Sequence, residues 1–430
     1  MAETASSMGT AATGARCRFC EAELSFTMVD LGKSPLCQTM LSAAQLNEME
    51  PFYPLHVYVC GECSLVQLEE YVSPESIFGH YVYFSSYSDS WLAHVSKYAD
   101  DMTERFGLDE SSQVVELASN DGYLLQYFVA KGIPVLGIEP AANVAAVAEE
   151  KGIPTLVEFF GQETAARLAA EGTQADLICG NNVLAQVPDL NSFVSGMKTL
   201  LAAGGVITIE FPHLFQLIEH NQFDTIYHEH FSYFSFTTAQ RIFRAHGLEL
   251  WDVEELGTHG GSLRIYGRHA DDDSHPVSER AREMLDREQR LGVDDVATYA
   301  SFGEKVEATK RKLMRFLIDA RDAGKTVAGY GAPGKGNTLL NYCGIRSDLL
   351  EYTVDRSPAK HGSYLPGTHI PVFQPDRIMQ TKPDYVVILP WNLKEEISRQ
   401  MAGIGEWGGR FVVPIPEVTV FDPPHPEVTQ

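Results

Sequence analysis

The sequence predicts an α/β protein with a small cysteine-bearing module at its N-terminal end and two Rossmann-like domains in succession after it. Three observations carry that expectation. Two tight cysteine pairs stand ahead of Ser64, short apolar runs alternate with helical segments from Gln113 onward, and a second set of such runs begins at Thr326. The expected domains span residues 14–75, 76–270 and 271–430.

The N-terminal module is a zinc-binding one by its spacing. Cys17-Arg-Phe-Cys20 and Cys60-Gly-Glu-Cys63 each place two thiols at the tip of a tight turn, and two such tips complete a tetrahedral Zn²⁺ site. The stretch between the pairs is poor in core residues, so a metal would explain how it folds. Two unrelated surface pairs are the plainer alternative. Four thiolates leave no coordination position open, so Cys17, Cys20, Cys60 and Cys63 read as a structural site, with Cys37 as a substitute ligand that lacks a paired partner. Ahead of the module, MAETASSMGTAATGA is small and polar and reads as disordered, without the basic and apolar regions of a signal peptide.

After the module, YVYFSSYSDSWLAHVSKYADDMTERFG opens with aromatics and serines and turns into an amphipathic helix. The runs VVELAS, VLGIEP, TLVEF, ADLICGNN and VITIEFP follow, each succeeded by a helical segment, as in a parallel sheet with crossover helices. From about Pro276 to Lys325 the chain is rich in helix formers, with Phe302, Val306, Leu313 and Leu317 at helical spacing. Then TVAGYGAPGKG, LEYTVDRS, PDYVVILPWN and RFVVPIP suggest a second α/β layer. No sequence-level repeat links the two layers.

Composition narrows the function classes. At 430 residues, with 44% hydrophobic and 21% charged residues, the chain has the make-up of a soluble globular protein of two or three domains. A formal charge of −25 argues against nucleic acid and against an anionic membrane surface, both of which select Lys and Arg clusters. No apolar run approaches the ~18 residues of a membrane-spanning helix, and a cytoplasmic location is expected.

The first α/β layer carries the signs of a cofactor site. In VVELASNDGYLLQYF, Glu116-x-Ala118-x-Asn120-x-Gly122 keeps the spacing of the ExGxGxG turn of S-adenosylmethionine (SAM) methyltransferases. Small residues there let the backbone approach the ligand, and the turn feeds a helix N-terminus. Two of the three glycines are replaced. Glu139 ends the next run and could take both ribose hydroxyls. Glu158 and Phe159 end the third run, where an adenine ring would lie, and Asn181 and Asn182 close the fourth. A generic doubly wound domain with polar loop ends is the alternative.

The second layer holds two overlapping fingerprints. Gly329-x-Gly331-x-x-Gly334, with Asp355 at the end of the next run, spells a dinucleotide motif. The same residues nearly spell a P-loop, Gly329-x-x-x-x-Gly334-Lys335, but Gly336 stands where Ser or Thr should hold Mg²⁺. Either way the loop offers backbone N–H groups and Lys335 to a phosphate, with Asn392 at the end of a neighbouring run. A merely tight structural turn is the alternative, and NAD keeps a dehydrogenase in play.

Between the layers lies IYHEHFSYFS, from Ile226 to Ser235. Three readings compete: a satisfied, partly buried His cluster, an acid/base centre, and a metal site. In an extended segment His228 and His230 would share a side, but no third ligand is evident nearby, which weakens the metal reading.

Taken together, CxxC…CxxC, YVYFSS, ELASNDG, YHEHFSYFS, HGGSLR and GYGAPGKG occur in the order seen in SAM-dependent sugar C-methyltransferases of deoxysugar biosynthesis. From Cys17 to Pro416 the chain resembles the type that methylates C-3′ of a dTDP-4-keto-6-deoxy sugar. The resemblance implies a structural zinc module, a SAM-binding methyltransferase domain and a C-terminal Rossmann-like domain that holds the nucleotide sugar. It further implies that His230 is the base removing the proton α to the ketone, that Tyr227 hydrogen-bonds the sugar or the developing enolate, and that Glu229 orients the site. Tyr81 would position SAM or sugar from the other side, and His259 would belong to loop architecture near the sugar. Such family members carry His after the fourth strand, in a stretch like LxHIP, whereas LAQVP puts Gln186 there. Gln186 can hydrogen-bond but not titrate, so any proton shuttling at that position is lost.

The partner expected is thus a small-molecule nucleotide sugar, with no nucleic acid and no membrane. The rivals are an O- or N-methyltransferase, an NAD-dependent oxidoreductase using the second Rossmann-like half, and a non-catalytic zinc-ribbon scaffold with degenerate cofactor folds.

Overall fold

A computed structural model describes residues 14–79, Tyr81 and 84–424. The disorder expected at the N-terminal end falls mostly outside the described residues, as do Val82 and Tyr83 of the YVYFSS motif. The chain divides into two compact units, each drawn from three segments. The first comprises Met1–Phe26, Tyr58–Phe215 and Glu229–Thr298, and the second Thr27–Val57, Gln216–His228 and Tyr299–Gln430.

The first unit is built on a seven-stranded sheet. In spatial order its strands are Leu248–Leu256, Ser262–His269, Leu201–Pro212, Ala175–Asn181, Val114–Leu117, Val135–Ile138 and Thr155–Leu156. The five strands from Val114 to Pro212 pair in parallel, and the last two to form in sequence are an antiparallel hairpin added at one edge. The parallel strands are the five runs read from sequence. Being apolar on both faces they need cover on both, and they have it: Val115, Ile178 and Ile209 enter one core cluster while Val114, Leu177 and Val206 enter the other. The hairpin strands were not anticipated, because LELWDVEEL and SLRIYGRH mix charged and apolar residues in no clean alternation. The chain leaves Val114–Leu117 toward one edge and returns beside it as Ala175–Asn181, so the topological switch point lies at the carboxyl ends of those two strands, where ligands bind in open α/β sheets. The amphipathic helix forms as Asp89–Phe106, capped by Ser88 and ended by Gly107 in a left-handed conformation.

The second unit repeats the plan with six strands, in the order Val372–Phe373, Thr353–Val354, Val327–Tyr330, Tyr385–Ile388, Arg410–Val413 and Thr419–Phe421, parallel except for the last. Its switch point lies beyond Tyr330 and Ile388. The helix-rich stretch forms Glu279–Arg290, Val296–Ala300 and Phe302–Asp322, the last burying Phe302, Val306, Leu313 and Leu317 as the spacing required. Residues 27–57, expected in the cysteine module, group by compactness with this second unit. Leu41 and Tyr364 exchange backbone hydrogen bonds at 2.9 and 2.8 Å, and Glu50 accepts from the Gly367 amide at 2.7 Å and pairs with His369 at 3.1 Å. Among the described residues no helix is long and apolar enough to cross a membrane.

Candidate active site

The two cysteine pairs form matching knuckles. In each, the first cysteine's N–H donates five residues ahead (Cys17 to Ala22, Cys60 to Leu65) and its carbonyl accepts from four residues ahead (Glu21, Ser64). Glu21 and Ser64 both take positive φ, which turns the chain back under the thiols. All four sulfurs lie within 4.8 Å of one another, with Cys17 to Cys63 and Cys20 to Cys60 at 3.5 Å. Tetrahedral Zn²⁺ with bonds of about 2.3 Å needs sulfurs about 3.8 Å apart. The donor set therefore fits zinc. Among the described residues this is the only group of three or more His, Cys, Asp or Glu side chains close enough to share an ion. Cys37 is not part of it: in the second unit, its Sγ lies 2.9 Å from where a Cβ on Gly334 would stand.

At the switch point of the first unit, all three motif positions after Glu116 are left-handed: Ala118 at φ 57°, Asn120 at φ 49° and Gly122 at φ 73°. The turn thus keeps a three-glycine backbone on two non-glycine residues. At Gly122 no side chain fits, since a Cβ would strike the Ile153 side chain. Glu139, 5% exposed, holds this turn together: its two oxygens accept from the Asn120 amide at 3.0 Å and the Ala141 amide at 2.8 Å. Burial lifts its carboxyl above the ordinary range, and those two amides work against the lift. A carboxylate has about four lone-pair positions, so two stay available for a diol. Around the same turn, Ser119 Oγ and Asp121 Oδ1 are buried without a protein partner, which suits a polar ligand part. The residues fit SAM.

The other cofactor positions divide. Phe159 is 41% exposed and free to cover a ring, but its strand ends three residues before it, at Leu156. Glu158 is committed to Arg167 at 2.6 Å. Asn181 donates to the Tyr123 hydroxyl at 3.4 Å. Glu116, expected at the ligand, is fully buried, and burial pushes its carboxyl well above the usual range.

YHEH is not extended. Tyr227–Glu229 form a bend and turn, so His228 and His230 do not alternate along a strand, and they fall in different compact units. His228 packs in the second unit with Nε2 at 3.3 and 3.2 Å from the Tyr53 and Pro54 carbonyls, and burial lowers its pKa. Tyr227 is half-buried and belongs to that unit too. In the first unit, Glu229 and His230 are 5% and 9% exposed, and Glu229 Oε2 accepts from the Tyr81 hydroxyl at 3.4 Å. The Phe231 amide donates to the Ala185 carbonyl at 2.7 Å, so the His230 and Gln186 loops run side by side.

Tyr81 is in turn fixed by a residue the sequence did not flag. Asn143 takes its N–H at 3.1 Å and gives to its carbonyl at 2.6 Å, while the Ser85 amide donates to Asn120 of the cofactor turn at 3.0 Å. His259 has φ 54°, meets Asn182 at 3.0 Å and lies with its ring 5.5 Å from Trp91. Trp91 stacks on His94, which reaches Glu210 at 3.0 Å, and Arg264 joins Glu210 at 3.1 Å. Burial alone would raise Glu210, but His94 and Arg264 hold it below the ordinary carboxylate value.

In the second unit the glycine loop departs from both fingerprints. Gly331 sits at φ 92°, with Pro390 where a Cβ would go. Asp355, like Glu139, accepts from two loop amides: its oxygens take the Ala332 amide at 2.7 Å and the Ser357 amide at 2.8 Å. Lys335 is partnered as well. Its Nζ donates to Asn392 at 2.9 Å and lies 4.7 Å over the Trp391 ring, and burial lowers its pKa against the pull of Asp224. Asp224 accepts from Trp391 at 2.7 Å. The helix Gly334–Cys343 begins here, and both amide atoms of Asn337 in it are buried without a partner.

Comparison with known proteins covers most of the chain. Residues 17–78 match the model of a zinc binding domain, residues 91–253 that of a methyltransferase domain and residues 257–416 that of the C-methyltransferase C-terminal domain. Over 408 residues the chain is 38% identical to C-methyltransferase NovU of Streptomyces niveus, spanning 94% of this chain and 96% of that protein. Among solved structures, an S-adenosylmethionine-dependent methyltransferase from Clostridium acetobutylicum aligns with 41% of this chain and 92% of its own, at 12% identity and TM-score 0.35. Magnesium protoporphyrin IX methyltransferase from Synechocystis aligns with 41% of this chain and 82% of its own, at 13% identity and TM-score 0.34.

Proposed function

The chain belongs to the SAM-dependent C-methyltransferases that carry an N-terminal zinc-binding domain, and from that premise we propose that it methylates a carbon α to the ketone of a nucleotide-linked 4-keto-6-deoxy sugar, with dTDP as the carrier. Bound SAM supplies an electrophilic methyl group.

The chain's own residues supply the rest. His230 takes the α-proton, which neutral water is too weak a base to remove. The electron pair left behind spreads onto the ketone oxygen, where a hydrogen bond from Tyr227 stabilises it. With SAM held by the cofactor turn and Glu139, the carbon would bond to the methyl group as the sulfur–methyl bond breaks, which would leave S-adenosylhomocysteine and a re-formed ketone. Glu229 orients the site through Tyr81, and Gln186 and His259 are assigned to the sugar. Glu139 takes the ribose hydroxyls of the cofactor. The loop from Gly331 to the start of the Gly334–Cys343 helix is assigned to the nucleotide through its backbone amides.

One observation supports this reading above the others. In a single unit, Tyr81 is pinned by Asn143, touches Glu229 at 3.4 Å, and belongs to a segment tied through Ser85 to the cofactor turn. An acid/base pair held against a cofactor turn is what a proton-abstracting transferase requires. Methyl-¹³C-labelled SAM incubated with a dTDP-4-keto-6-deoxy sugar tests the proposal. A labelled methyl coupled to a ring carbon is the expected product, and label on oxygen or nitrogen, or no turnover, would reject it.

A further inference from the structure

Arg18 stands between the zinc ligands Cys17 and Cys20, yet its guanidinium is buried against a different part of the first unit. Nη1 donates to the Pro188 carbonyl at 3.0 Å, Nη2 donates to the Leu68 carbonyl, and the group lies 5.4 Å over the Phe231 ring. Its backbone is fixed as well. The Arg18 amide donates to Gln67 Oε1 at 2.9 Å, and Gln67 Nε2 donates to Cys17 Sγ at 3.2 Å. Asn191 donates to the Arg18 and Phe19 carbonyls at 3.3 and 3.0 Å.

The groups Arg18 grips are those that hold the catalytic loops. The Leu68 amide donates to the Phe231 carbonyl at 3.0 Å, and the Phe231 amide donates to Ala185 at 2.7 Å. Beyond them, Val66 and Gln67 pair with Tyr233 and Ser232 in an antiparallel ladder. Pro188 lies two residues past Gln186, and Phe231 directly follows His230. A planar guanidinium can span two carbonyls in fixed directions, which an ammonium cannot.

We propose that Arg18 is a positioning residue through which the zinc knuckle fixes the backbone bearing His230 and Gln186. The metal site then does more than stabilise the fold: the turn from Cys17 to Cys20 aims Arg18, and Arg18 clamps both loops. Groups that orient a site from behind typically matter about 10- to 100-fold in activity. The proposal rests on the reading of His230 as the base, and its test separates the two.

Arg18→Met keeps the apolar stem and removes the clamp; Arg18→Lys restores the charge but not the fork. Zinc content, S-adenosylhomocysteine affinity, kcat and KM, and amide hydrogen exchange of the full chain are measured for both. For Arg18→Met one zinc per chain and wild-type cofactor affinity should persist, while kcat falls about 10- to 100-fold and the Leu68 and Phe231 amides exchange faster. Arg18→Lys should fall between. Wild-type protein stripped of zinc by a chelator should show the same faster exchange at those amides, a readout that holds even if Arg18→Met fails to fold. Wild-type exchange at Leu68 and Phe231 in both the variant and the stripped protein would overturn the proposal. Faster exchange with unchanged kcat would overturn the positioning role and leave Arg18 a purely structural contact, whereas the reading of His230 as the base is tested by His230→Ala alone.

Discussion

At the residue scale, Glu139 carries two duties that pull on one carboxylate. It braces the cofactor turn through the Asn120 and Ala141 amides and, in the proposed function, receives the ribose. Truncation to Ala would strand both amides and confuse folding with binding, since each buried unsatisfied donor costs about 1–3 kcal/mol. Glu139→Gln keeps one acceptor oxygen and separates the duties. It should fold while weakening SAM by about 1.5–3 kcal/mol, the range for a charged acceptor. Calorimetry returning wild-type affinity would move the cofactor elsewhere. The position of Glu139 was legible because an acid at the end of the second strand is a positional signal. The burial of Glu116 was not: strand spacing says which residue ends a run, not whether its side chain turns under the sheet. Ala118 was legible as a motif position, but its left-handed backbone, which costs an L-residue roughly 1–2 kcal/mol, was not.

At the scale of elements, the two sheets reuse one device. An acid after the second strand grips an amide of the turn after the first: Glu139 on Asn120, Asp355 on Ala332. The dinucleotide reading of GYGAPGKG foresaw the turn and the acid but not the acid's hold on the loop, because sequence spacing is the same whether the carboxylate faces the loop or the solvent. The short helical turn Phe223–Thr225 holds a residue with no motif at all. Asp224 is fully buried, and burial raises its carboxyl to about 6 against the opposing Lys335 charge and Trp391 hydrogen bond. Unfolded aspartate titrates near 3.9, so the folded chain holds this proton more tightly. The stability it contributes is whole below about pH 3.9 and lost as pH rises to about 6. Asp224→Asn has no charge to bury, so relative to wild type it should gain about 2 kcal/mol between pH ~4.5 and pH ~7.5. Urea denaturation at both values checks this; a gap that does not change with pH would show that Asp224 is not the group being titrated.

At the scale of the molecule, the α/β class and both switch points follow from short apolar runs at regular spacing, and the zinc site from two CxxC pairs. What the sequence could not carry is the interleaving of segments. Residues 27–57 group with the second unit through contacts such as the isolated bridge of Leu41 with Tyr364, and pairing across such a separation leaves no periodic trace. The same division runs between His228 and Glu229, so YHEH, read as one motif, belongs to two units. That is why its histidines part: His228 meets the Tyr53 and Pro54 carbonyls, and His230 stays with Glu229 as the proposed base. Proton removal by His230 need not wait for methyl transfer. With S-adenosylhomocysteine in the cofactor site, a dTDP-4-keto-6-deoxy sugar in D₂O should exchange its α-hydrogen for deuterium. His230→Ala should slow that exchange by about 10²–10⁴-fold, whereas exchange at the wild-type rate in His230→Ala would contradict the account.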